Sequence, residues 1–113
     1  MKKEEIAPDY QQLYHQLTKR ILYGKGESTP EQRQAAFDNA GLAEPLSTLT
    51  NKVALEAHKV TDSDIKAVKR TGMSEDQLFE LIVCAAVGQA SRQYQSGLAA
   101  LAEAIKEGGA HAS

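Results

Sequence analysis

The chain has 113 residues, enough for one domain that buries roughly two thirds of the surface its unfolded form exposes. Hydrophobic residues make up 42% and charged residues 25%, an ordinary globular balance; with aromatics at 5% and no Trp, the core must come from Ala, Leu, Val and Ile, which points to closely packed helices. A formal charge of −2 leaves no basic footprint for nucleic acid and no polybasic patch for a membrane surface.

The single cysteine, Cys84, precludes an intrachain disulfide and fits a reducing cytoplasm. The N-terminus MKKEEIAPDY follows two lysines with acids and a proline, not with the apolar run of a signal peptide. No segment approaches the roughly 18 uncharged apolar residues of a membrane span. A soluble cytoplasmic protein is expected, one helical domain over residues 1–113, with residues 1–7 and the glycine-rich tail 108–113 flexible.

Tyr10, Leu13, Tyr14, Leu17 and Ile21 recur at helical spacing and predict an amphipathic first helix, its apolar face in the core or an interface, stopped by Gly24. Thr29-Pro30-Glu31-Gln32 predicts a second start, with Thr29 as N-cap, Pro30 in the first turn and Gln32 completing a capping box. This helix should stop at Asn39-Ala40-Gly41. Pro45 permits a third, with Leu46, Leu49, Val53, Ala54, Ala57 and Val60 on one face.

Thr61 with Asp64, and Ser74 with Gln77, repeat the capping box, and Val60/Ile65 and Met73/Leu78 are placed to staple the two starts. Gly72 after Lys69-Arg70 is a C-terminal stop. From Asp76 a helical pattern persists for about thirty residues. Leu78, Leu81, Ile82, Ala85, Ala86 and Ala90 form its apolar face, continued by Tyr94, Leu98, Leu101 and Ile105. Gly88 and Gly97 each cost roughly 1 kcal/mol relative to Ala in a helix interior, which suggests a kink near Gln89 to Ser91. No strand-like alternation occurs, so the class is all-α.

The order of a short helix, an A-x-x-x-x-G turn from Ala67 to Gly72, a Ser-capped start and an Ala-rich long helix (AVKRTGMSEDQLFELIVCAAVGQASRQ, then LAALAEA) resembles the carboxymuconolactone decarboxylase and alkyl hydroperoxidase D-like family. The likeness covers about the second half of the chain, from roughly Ala54. It implies a compact all-α multi-helix bundle of about five to six helices, of the alkyl hydroperoxidase D-like kind. Its protomers would associate through helical faces into trimers, hexamers or other homo-oligomers.

The hydroperoxidase branch of that family carries a Cys-x-x-Cys pair and a histidine eight residues before the glycine. Counting back from Gly72, those positions hold Ala57, Val60 and Asp64. Thiol–disulfide exchange needs an attacking and a resolving thiol, which one cysteine cannot supply within a chain. The resemblance therefore implies a member without the family's thiol peroxidase chemistry and without a cofactor. The lactone decarboxylase branch keeps open an acid–base enzyme acting on a small cyclic acid.

For such chemistry His58 and Asp64, with Glu56 and Asp62 nearby, are the candidate pair; the competing reading makes Asp64 a capping residue and His58 a half-exposed helix end. Arg92 and Tyr94 are candidate ligand-binding residues, Arg92 either for a ligand carboxylate or for an acid on a neighbouring helix or subunit. Cys84, among Ile82, Val83, Ala85 and Ala86, reads as a buried apolar residue. His15, His58 and His111 lack metal-ligand spacing. The function expected is an oligomeric binding or scaffolding unit with, at most, a small-molecule ligand.

Overall fold

A computed structural model describes residues 10–112, so the expectations for residues 1–7 and Ser113 lie outside the described residues. Among the described residues the fold has five α-helices, one 3-10 turn and no strand. In chain order they are α1 (Tyr10–Tyr23), α2 (Pro30–Asp38), α3 (Leu46–Leu55), the turn Ala57–Lys59, α4 (Asp62–Lys69) and α5 (Glu75–Ala112). The multi-helix bundle is thus all-α.

The helix ends form where the local chemistry supplies partners for the free backbone groups. At α2 the Thr29 hydroxyl accepts from Gln32 N at 3.1 Å while the Gln32 side chain accepts from Thr29 N at 3.2 Å. Asn39, at φ 54°, closes that helix in the left-handed conformation. At α4 the same reciprocal pair joins Thr61 and Asp64, and at α5 it joins Ser74 and Gln77. The start of α3 uses a different device. Pro45 offers no side-chain cap, and the Glu44 carboxylate accepts from Thr48 N instead. This helix ends at Leu55 and the chain tightens into the 3-10 turn, so the face predicted to continue to Val60 is interrupted.

The core is built from Ala36, Leu46, Leu49, Val68, Leu78, Leu81 and Cys84, with Ile21, Phe37, Leu42, Val53, Val60, Ile65, Met73 and Ile82 packed around it. Every helix from α2 onward contributes a fully buried residue, and α5 contributes most, so the long helix is the axis on which the others rest. It is unbroken. Gly88 is not a kink but a contact surface: a Cβ there would lie 2.6 Å from the carbonyl carbon of Phe37 and 2.8 Å from its Cα. Only glycine lets the C-terminal end of α2 approach that closely.

The bundle does not cover the whole of α5. From Gln93 to Glu107 every residue is exposed. At 1.5 Å per residue the 38-residue helix is about 57 Å long, close to the 61 Å long axis of the molecule. The radius of gyration is 18.2 Å, against about 13 Å for a compact domain of roughly this size. The excess is the overhanging end of α5.

Candidate interaction surface

The sequence-predicted polar residues fall into separate structural roles. Asp64 is partly buried and its carboxylate is fully engaged: both oxygens accept from Lys52 Nζ, at 3.1 and 2.9 Å, and one also accepts from Thr61 N at 2.9 Å. The Lys52 hydrogen bond, then the Thr61 amide, hold its pKa below the ordinary value against some desolvation. A carboxylate so held is an anion that caps a helix and ties α3 to α4, and it is a poor proton acceptor. His58 stands exposed on the 3-10 turn. The arrangement fits the capping reading of Asp64.

Arg92 is engaged within its own chain. Its Nη1 donates to the carbonyl of Phe37 at 2.6 Å, and Nε and Nη2 donate to Gln89 Oε1 at 3.3 and 3.0 Å. Phe37 lies in the last turn of α2, where carbonyls lack helical partners, so the guanidinium serves as a C-terminal cap supplied by another helix. Arg92 is four residues after Gly88, on the same side of α5. One residue makes room for the end of α2 and the other bonds it.

One network was not anticipated. Glu80 on α5 accepts from Glu27 N at 2.8 and 3.0 Å and from Ser28 N at 2.8 Å, so the α1–α2 loop folds around a carboxylate. Burial pushes its pKa up, but the Ser28 hydroxyl, the two amides and Arg33 together leave it lowered. Arg33, only 5% exposed, completes the network by donating to the Ser28 hydroxyl and to the carbonyls of Leu22, Gly24 and Ser28. Sequence gave no local signal for a link spanning more than fifty residues. Cys84 is 1% exposed, and burial raises its thiol pKa to about 11, which suits its place in the core and not a reactive role.

The remaining candidate, Tyr94, sits on an open, largely apolar groove. With Leu13, Tyr14 and Leu17 of α1 and Val87, Ala90 and Ser91 of α5 it lines a groove of about 670 Å³. Tyr14 and Tyr94 face each other across it with ring centroids 5.9 Å apart. The hydroxyls of Ser91 and Thr18 are buried there or beside it without a hydrogen-bond partner. The apolar face of the first helix was expected in the core or an interface; Leu13 and Leu17 are 53% and 50% exposed, so the core does not take all of it.

The groove does not end at Tyr94. Leu98, Leu101 and Ile105 continue the same face of α5 at spacings of four, three and four residues, and they are 39%, 55% and 66% exposed. Between Arg92 and Glu103 there is no charged residue. This is the a/d spacing of a helix that expects another helix against it. Scattered exposed apolar residues need no explanation, whereas these form a continuous apolar stripe over one face. No group of three or more metal-ligating side chains occurs among the described residues, and no described helix is long and apolar enough to cross a membrane. No family model, curated protein or solved structure matches the chain.

Proposed function

We propose that this protein is an oligomeric helical binding or scaffolding unit that assembles through the apolar face of α5, and that it is a divergent relative of the carboxymuconolactone decarboxylase-like proteins without their thiol centre. The observation that carries the assembly reading is the exposed stripe Tyr94, Leu98, Leu101 and Ile105 on a helix end that its own bundle leaves bare. The five-helix bundle and the Ala67–Gly72 turn, with Gly72 at φ 98°, support the family reading.

The magnitudes favour reversible association. Fully burying a Leu, Ile or similar side chain is worth about 1.5–3 kcal/mol, so covering a half-exposed one recovers about 1 kcal/mol. Leu13, Leu17, Tyr94, Leu98, Leu101 and Ile105 make six such residues per protomer. Twelve in a pair give about 12 kcal/mol, the same order as the roughly 4–15 kcal/mol lost in translational and rotational freedom.

An acid–base enzyme has no comparable support, since Asp64 is an ion-paired cap and His58 is exposed on the 3-10 turn. Light scattering and sedimentation of the wild-type chain at tens of micromolar test the assembly reading. A concentration-dependent oligomer is the expected result, and Leu98→Asp with Leu101→Asp should return it to monomer with the helical spectrum of the bundle intact. A wild-type chain that stays monomeric removes the proposal.

A further inference from the structure

Resting on that assembly reading, the geometry points to one particular pairing: two copies of this chain join through the overhanging ends of α5 in an antiparallel two-fold, centred between Leu98 and Leu101. The stripe is self-complementary. Its four-three-four spacing reads the same in both directions, so a two-fold axis at its centre lays Leu98 on the partner's Leu101 and Tyr94 on the partner's Ile105. These are the a-to-d layers of an antiparallel coiled coil. Gly97 has no atom within 4 Å of where a Cβ would stand, and on the flank of the stripe it lets the second helix come close.

Sterics separate this from a parallel pair. In a parallel arrangement Tyr94 would meet the partner's Tyr94, and each tyrosine already has its own α1 beside it through Tyr14. Two copies of α1 would then compete for one space. In the antiparallel arrangement the segment arriving at Tyr94 is the overhanging end of the partner's helix, which is exposed on all sides. It can lie along the mouth of the groove and cover Leu13 and Leu17, which are half exposed in the single chain.

The antiparallel arrangement also sets the two helix dipoles in opposition, which is the favourable sense.

Tyr94→Cys and Ile105→Cys, made as separate chains, test the register. Both positions are exposed, so the bundle tolerates them, and Cys84 is buried and silent towards a short bis-maleimide. The two variants mixed should yield a cross-linked dimer, and neither variant alone should. The eleven residues from 94 to 105 hold like positions roughly 16 Å apart along the axis, beyond the reach of the reagent. Cross-linking of Tyr94→Cys with itself would establish a parallel pair and overturn the inference. An oligomer by light scattering that gives no cross-link in the mixture would also overturn it, while leaving assembly by another face standing. A monomer would remove both.

Discussion

Arg92 on α5 donates to the main-chain carbonyl of Phe37 at 2.6 Å, and that bond joins the last turn of one helix to the middle of another. A charge-assisted hydrogen bond to an otherwise free helix-end carbonyl is worth about 1.5–3 kcal/mol. Arg92→Ala should lower stability by that amount in urea unfolding. Arg92→Lys should recover only part of it, because an ammonium cannot hold Phe37 and Gln89 at once in the planar fork. Equal stability of all three chains would refute the capping role.

Gly88 and Gly97 lie on the same helix but should respond oppositely to alanine. At Gly88 a methyl group meets the Phe37 main chain, so Gly88→Ala should cost about 1–3 kcal/mol as α2 is forced outward. At Gly97 the space is open, and Gly97→Ala should gain roughly 0.5–1 kcal/mol of helix stability. Thermal unfolding of the pair decides; a matching sign would show that the close approach of α2 is not what requires glycine.

The Glu80 carboxyl titrates below its ordinary value of 4.5 in the folded chain. The folded state therefore binds fewer protons than the unfolded state through that range, and stability rises with pH there. The contribution is fully present above about pH 5 and is lost as the pH falls through the folded value. Asp64, lowered from 3.8, acts in the same direction. Glu80→Gln should weaken the protein at neutral pH and flatten this acid limb. An unchanged dependence of the unfolding midpoint on pH would mean that the carboxylate does not tie the α1–α2 loop to α5.

Cys84 supplies a test at the opposite end of the scale. Its thiol has an ordinary value of 9.0 and about 11 when folded, so the folded state holds the proton longer. This contribution to stability is complete below pH 9 and fades as the pH rises through about 11. A thiol reagent at neutral pH should label the unfolded chain promptly and the native chain only at the rate of opening. Immediate labelling of the native chain would contradict the burial.

Ser91 keeps a buried hydroxyl without a partner. Ser91→Ala removes that unmet donor and should leave the protein as stable as before or more so, by about 1 kcal/mol. A clear loss in chemical denaturation would reveal a bond that forms when copies associate, and comparison above and below the association concentration would locate it.

What could be read from the chain alone was what depends on neighbours a few residues apart. Thr29 with Gln32, Thr61 with Asp64 and Ser74 with Gln77 are three-residue devices, and all three form. Gly88 misled because a glycine that breaks a helix and a glycine that admits another backbone carry the same letter. The stripe from Tyr94 to Ile105 was visible as a period, but a period says which residues share a face and not whether their own fold covers it. Glu80, Arg33 and Ser28 were invisible for another reason, since charged residues at those spacings resemble any solvated surface until the loop closes on them.

The bare end of α5 also has a bearing on motion. Most helical stability in proteins comes from tertiary packing, and residues 95–107 of α5 are all exposed. Under the proposed pairing, its main-chain amides should exchange with solvent quickly in dilute protein and slowly in concentrated protein, while those of Leu78 to Ala85 stay protected at both. The order of this segment would then be a local gauge of whether two molecules have met.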